Sequence, residues 1–298
     1  MKSNENQRKL KGRVAIVIGS GGGLGRDHAL YLASQGAKVV VNDLSADHAE
    51  AVVSEIRDAG GEAVTFAASV TDELAMKAMA RQVLDQWNRI DILVNNAGIL
   101  RDKSFAKMTM DDFRQVIDVH LIGAAVCCKA VWETMRAQHY GRIVMTTSSS
   151  GLWGNFGQAN YAAAKMGVVG LMQTLAIEGE KYGIRVNSLA PTAATQMTHG
   201  VLTEESLVLL KPSLVSPGLL ALVCEDAPTR AVLCAGAGHF ATASVSLSRG
   251  LYIGSDADAG EQVAENWYAL SERAGDMVPS YGFFQAEREV ASAGNSGR

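Results

Sequence analysis

The sequence predicts an α/β fold: one doubly wound parallel sheet with helices on both faces, in a single domain with a C-terminal extension. Three observations carry this expectation. Runs such as "RVAIVIG" (13–19), "KVVVND" (38–43) and "IDILVNNAG" (90–98) are continuously apolar, as strands covered on both faces are. Stretches of helical length with apolar residues at helical spacing separate them. Glycine-rich and polar clusters recur at the carboxyl ends of the apolar runs, where parallel sheets bind their ligands. Such alternation requires right-handed crossovers and places helices on both sides of the sheet.

The first strand, 13–19, ends in glycines, and "LGRDHALYLASQGA" supplies a helix with Leu24, Ala29, Leu32 and Ala33 on one face, stopping at Gly36. After the strand at 38–43, "SADHAEAVVSEIRDAGG" reads as a helix capped by Ser45 and ended by Gly60-Gly61. "EAVTFAAS" is the third strand, and "TDELAMKAMARQVLDQW" a helix with Thr71 as its cap. A fourth strand is followed by one long helix, "TMDDFRQVIDVHLIGAAVCCKAVWETMRAQ", and by "GRIVMTTSS" (141–149) as the fifth strand. "ANYAAAKMGVVGLMQTLAIEGEKYG" is the next helix and "IRVNSLAP" the sixth strand. Beyond Pro191 the rhythm loosens into a loop with one or two helical turns. Ser216-Pro217 reads as a cap and first-turn proline, and "RAVLCAGAG" (230–238) as the last strand. Residues 1–245 form the expected domain and 246–298 the extension, with one amphipathic patch, "EQVAENWYALSERAG", and a polar tail from Ala286 expected to be disordered.

Composition limits the function classes. With 298 residues, 48% of them hydrophobic, the chain can bury a sizeable core. A net charge of −4 argues against a nucleic-acid partner. The four cysteines form no C-x-x-C pair, which suits reduced thiols and a cytoplasmic protein. The polar start "MKSNENQRKLKGR" holds no apolar signal region, the end "AGNSGR" is no peroxisomal address, and no apolar run is expected to span a membrane. No metal site is expected.

Two features point to chemistry. In "GSGGGLG" the spacing Gly19-x-x-x-Gly23-x-Gly25 falls between the first strand and first helix. Glycines there let backbone approach a pyrophosphate, and the helix start offers unpaired N–H groups and a positive dipole end. Asp43 closes the second strand 18 residues after Gly25 and can accept from both ribose hydroxyls while repelling a 2′-phosphate, so NAD is the expected cofactor. In "GQANYAAAKMG", Tyr161 and Lys165 share one helix face across three alanines. A free phenol titrates near pH ~10, and a nearby cation favours the phenolate, so the pair reads as an acid/base device.

In combination these motifs, with "NNAG" (95–98), Ser148 13 residues before Tyr161, and "NSLAPTAAT" (187–195), resemble the short-chain dehydrogenase/reductase family over residues 10–240. The resemblance implies a Rossmann-like fold and an NAD-dependent oxidoreductase. Tyr161 would exchange the proton, Ser148 orient the substrate oxygen, and Lys165 hold the nicotinamide ribose. It further places Leu24, Ser69, Val70, Asn96, Ala97, Gly98, Pro191 and Thr195 along the cofactor. Segments such as "NNAGILRDKSF" and "SSSGLWGNFGQANYAAAKMGVVGL" are more closely similar to the (3R)-hydroxyacyl-CoA dehydrogenase branch, the dehydrogenase part of multifunctional enzyme type 2, also called 17-beta-hydroxysteroid dehydrogenase type 4. That implies a small-molecule substrate, an acyl-CoA or steroid side-chain thioester, and a homodimer or homotetramer paired through the two long helices. Arg101, Lys103 and Lys107 are candidate contacts for CoA. Two departures stand out: Ile18 replaces the usual Thr before the loop, and His120 replaces the usual Asn, making His120 either a proton-relay member or a structural histidine. A free hydroxysteroid or alcohol dehydrogenase, and a non-catalytic NAD-binding sensor, remain the alternatives.

Overall fold

The computed structural model describes residues 9–195 and 203–296, and these form two compact units, Met1–Thr242 and Ala243–Arg298. The first is built on an eight-stranded sheet of β1 (Val14–Ile18), β2 (Lys38–Asp43), β3 (Ala63–Ala67), β4 (Ile92–Asn95), β5 (Gly141–Thr146), β6 (Ile184–Thr192), β7 (Val232–Gly236) and β8 (His239–Ala243). Their order is β3-β2-β1-β4-β5-β6-β7-β8, and β1 to β7 pair in parallel, with Ile18 beside both Asn42 and Asn95. The order reverses between β1 and β4. The crevice at their carboxyl ends is therefore where a ligand binds in a sheet of this kind. The eighth strand is a difference from the sequence reading. Ala237 and Gly238 both have positive φ (50° and 76°), which matches a two-residue hairpin turn and returns the chain beside β7.

The crossovers are α1 (Gly23–Ser34), α2 (Ala46–Asp58), α3 (Glu73–Trp87), α4 (Met110–Ile117), α5 (Gly123–Gln138), α6 (Ser149–Trp153), α7 (Ala159–Gly179), α8 (Glu204–Leu209) and α9 (Ser216–Val223). Ser45 caps α2 as expected, accepting from His48 N–H. At α3 the cap is Asp72 rather than Thr71: its carboxylate accepts from Ala75 N–H at 2.9 Å, and a charged acceptor suits a helix N-terminus better than a hydroxyl. Ser216 is not a cap but the first helical residue, because its hydroxyl is taken by the buried His28 Nδ1 at 2.8 Å.

The expected long helix is interrupted. Residues Asp118–Ile122 form a π turn between α4 and α5. The whole stretch Met110–Gln138 is long and apolar enough to cross a membrane, contrary to the expectation that no run was. Its apolar side chains, including Val116, Cys127, Val131 and Met135, are instead buried against the sheet and neighbouring helices. All four cysteines are free.

At the amino-terminal edge of the sheet, Asp91 is fully buried. It accepts from Val14 N–H at 2.9 Å and pairs with Arg13 (3.1 Å) and Arg89 (2.6 Å). The Tyr140 ring lies between the guanidinium groups of Arg13 and Arg142, 3.7 and 4.1 Å away.

Burial pushes both His28 and His120 down to about 3 from their ordinary range. The unfolded chain then binds more protons between pH 3 and 6.5, so stability falls as pH drops through that window. Each histidine contributes a slope of up to about 1.4 kcal/mol per pH unit. Urea unfolding midpoints at pH 6.5 and 5 check this, and His28→Gln should flatten the difference.

In the second unit, the Leu247 and Met277 backbones pair antiparallel, and α10 (Ala259–Glu265), α11 (Trp267–Leu270) and α12 (Phe284–Ser296) follow. Of the polar tail, residues 286–296 lie in α12, where Arg288 donates to the Ser248 carbonyl at 2.7 Å, and the last two residues lie outside the described ones. Polarity alone misses α12 because an amphipathic helix carries its polar residues along one side.

Candidate active site

The glycine loop closes tightly at the end of β1. Gly19 has φ +69°, and a Cβ there would lie 2.6 Å from Ala97 Cα. A Cβ on Gly25 would lie 2.1 Å from the Gly19 carbonyl oxygen and 2.7 Å from Asn96 Nδ2, which itself donates to that carbonyl at 2.9 Å. Asn96 thus pins the loop from the neighbouring strand. Helix α1 starts at Gly23 with no side-chain cap and no acidic residue in its first turn, leaving its N–H groups for an anion. Gly25→Ala should raise the dissociation constant of a dinucleotide about tenfold or more, measured by NADH fluorescence, because the added methyl displaces the loop.

Asp43 stands beside the loop, half-buried. Its Oδ2 accepts from Gly21 N–H at 2.9 Å and its Oδ1 from Ser45 N–H at 3.1 Å. Both bonds aim the carboxylate across the glycine loop, and each oxygen keeps a lone pair. Thr195 reaches the same place: a Cβ on Gly23 would touch its Cγ2 at 3.7 Å. Val70 packs under Gly123, and Ser69 Oγ is bonded to Thr71 Oγ1 at 2.8 Å. Leu24 is buried in the core against the sheet, and Pro191 lies in β6. The residues present therefore fit a dinucleotide: a cradle only glycine permits, an uncapped helix start and a carboxylate at the second strand.

The other half of the site lies beyond β5. Ser148 is nearly buried and caps α6, accepting from Ser150 N–H at 3.2 Å. Helix α7 brings Tyr161 and Lys165 alongside. Lys165 is buried; its Nζ donates to the Thr146 carbonyl at 2.6 Å and lies 5.6 Å from the centre of the Tyr161 ring. Thr147 Oγ1 donates to the Lys165 carbonyl at 2.7 Å, fastening the helix to the end of β5. Burial brings the Lys165 ammonium down to about 7. Burial also raises the Tyr161 phenol above its ordinary range, a hydrogen bond with Ser148 lowers it, and the Asp102 carboxylate raises it further. In this arrangement burial dominates and Ser148 is the group that opposes it.

His120 sits on the π turn with its ring edge against Tyr161, centroids 5.2 Å apart. Its Nε2 meets both the N–H and the carbonyl of Ile99, at 3.0 and 2.8 Å, and its ring fills the space over Gly98, where a Cβ would lie 2.3 Å from Cε1. Nδ1 has no hydrogen-bond partner among the described residues, nor do Asn95 Oδ1 and Thr146 Oγ1. All three residues, with Lys165, line one cavity of about 10 Å³. The structure gathers Ser148, Tyr161, Lys165 and His120 at one corner and Gly19, Gly25, Asn96, Ala97 and Asp43 about the glycine loop, whereas Leu24 packs into the core. It adds Thr146, Thr147 and Gln158, none of which carries a spacing signal. Of the basic residues expected to meet CoA, Lys103 pairs with Asp112 at 2.8 Å and Arg101 with Gln115 at 3.0 Å.

A short chain dehydrogenase family model matches residues 13–206. The chain belongs to this family. Within it the chain is 48% identical over 240 residues to peroxisomal multifunctional enzyme type 2 of Drosophila melanogaster, covering 76% of this chain and 39% of that one. The full-length structure of that enzyme matches with a TM-score of 0.79 at 38% identity, over 95% of this chain and 49% of that chain. This chain thus spans less than half the length of that relative. A short chain dehydrogenase from Mycobacterium avium, also at a TM-score of 0.79 and 36% identical, is matched over 92% of this chain and 99% of its own. A 7α-hydroxysteroid dehydrogenase solved with NADH and a 7-oxo bile acid conjugate is 30% identical with a TM-score of 0.73, over 79% of this chain and 97% of that one. The chain is an oxidoreductase of the short-chain family, whose members bind a nicotinamide cofactor, and its sheet is the Rossmann-like sheet of that family.

Proposed function

We propose that this dehydrogenase oxidises a secondary hydroxyl to a ketone with NAD, the substrate being a 3-hydroxyacyl-CoA. The observation that carries the reading is the corner formed by Ser148, Tyr161 and Lys165 at the carboxyl end of β5, facing a glycine cradle and Asp43. A bound nicotinamide supplies the hydride acceptor. Asp43, its carboxylate fixed by two backbone N–H groups, receives the adenosine ribose hydroxyls and disfavours a 2′-phosphate. Ser148 donates to the substrate oxygen, and Tyr161, ionised to the phenolate, takes up the substrate's hydroxyl proton, a step worth about 10²–10⁴ in rate. Lys165, anchored on the Thr146 carbonyl, contacts the nicotinamide ribose. His120, held neutral by burial and bonded to Ile99, supports the Tyr161 ring.

Phe105, Trp153 and Phe156 are exposed on the segments that flank the corner, which suits an apolar substrate. The relative solved with a bile acid conjugate favours a second reading, a hydroxysteroid. Reduced thiols suit a cytoplasmic setting, and exposed Met166 and Ile177 on α7 suit a homodimer or homotetramer. A panel of 3-hydroxyacyl-CoA thioesters and hydroxysteroids, each assayed with NAD and NADP, tests the proposal. The expected result is the highest kcat/KM for a thioester with NAD, and loss of the NAD preference in Asp43→Ala. A preference for NADP in the parent enzyme overturns the cofactor assignment. Absence of turnover with every compound returns the chain to a binding role.

A further inference from the structure

Gln158 immediately precedes α7, three residues before Tyr161. Its amide joins three segments. Nε2 donates to Asp102 Oδ2 at 2.6 Å, on the stretch after β4. Oε1 accepts from Ser150 Oγ at 2.8 Å and Asn155 Nδ2 at 3.0 Å, on the stretch that begins with Ser148. A carboxylate accepts only, so the amide has to turn its NH₂ toward Asp102. Two further bonds tie the same segments, Lys103 N–H to the Gly157 carbonyl at 2.9 Å and Asn160 Nδ2 to the Arg101 carbonyl at 3.2 Å. Neither reaches Ser150 or Asn155. Gln158 does.

We propose that Gln158 and Asp102 are positioning residues for the Tyr161 hydroxyl: the amide locks the Ser148 stretch, the stretch after β4 and the start of α7 into one corner, and the carboxylate held there sets the charge the phenol faces. The inference rests on Tyr161 as the proton-transfer group. Ser148 after β5, His120 on the π turn and Lys165 on α7 lie about that phenol, and Asp102, held after β4 by the Gln158 amide, acts on it as a charge. His120 is neutral above about 3, so Asp102 is the anion among them. It opposes formation of the phenolate. Asp102 is exposed, so its influence is screened by salt, whereas the mechanical role of Gln158 is not.

The variants separate the two roles. Asp102→Asn keeps an acceptor for Gln158 but removes the charge. Gln158→Leu removes the junction at similar volume. Gln158→Glu sets like charges against each other, and adding Asp102→Asn to it restores the hydrogen bond with donor and acceptor exchanged. Two readouts are taken at low and high salt: kcat against pH, and phenolate absorbance titration with the Tyr161→Phe signal subtracted. The titration needs no substrate, so it decides the charge role even if no substrate is turned over. Asp102→Asn should move both curves to lower pH, more at low salt. Gln158→Leu should lower kcat about 10- to 100-fold with NADH affinity unchanged. The double variant should recover most of the turnover lost in Gln158→Glu. Curves for Asp102→Asn that superimpose on the parent, or parental turnover in Gln158→Leu, overturn the proposal.

Discussion

Tyr161→Phe should reduce turnover by about 10²–10⁴ while NADH binding stays at the parental level. The variant removes one oxygen and leaves the ring, so its packing against His120, 5.2 Å between centroids, survives. Lys165 keeps its bond to the Thr146 carbonyl, and the glycine cradle is untouched. The group that disappears is the hydroxyl that meets Ser148 from α7 and that, once ionised, can take up a proton there. Steady-state kinetics with fluorescence titration of NADH separate the two effects. Parental turnover in the variant would remove Tyr161 from the chemistry, and equal loss of NADH affinity would recast it as a binding residue.

The second large effect is on stability. Asp91→Ala should cost about 3 kcal/mol, because a buried N–H loses its acceptor and two guanidinium groups lose a shared partner. Val14 opens β1, so the damage falls on a central strand, and Arg13 and Arg89 are left half-exposed with their charges hydrated. For a unit of this size the melting temperature should fall by roughly 6–12 °C. Thermal unfolding followed by circular dichroism checks this. A shift within experimental error would show that water replaces the carboxylate at no cost.

Much of this architecture is legible in the sequence because parallel strands covered on both faces read as unbroken apolar runs, and β1, β2, β4 and β5 are of that kind. The edge is less legible. Strand β8 is mostly exposed, and His239 and Thr242 break up the apolar residues of "HFATA", so no continuous apolar run marks it. The site divides in the same way. Glycines and the Tyr161–Lys165 pair betray themselves by spacing, since a cradle and a helix face each impose one. Gln158 and Asp102 are 56 residues apart and meet only because two loops converge, so no spacing announces them. The acidity of Tyr161 is likewise hidden, since it depends on burial, which a string of letters does not display.

The π turn at Asp118–Ile122 carries one residue more than an α-helix would over the same rise. Deleting Val119 would therefore smooth the helix and leave the faces of α4 and α5 where they are, shifting only the side chains within the turn. A shortened chain of this kind would present a different side chain to Ile99 while keeping its hydropathy almost unchanged. Irregularity at that point is consequently a form of addressing: it lets one imidazole arrive beneath the phenol while the cysteines of α5 still face the sheet.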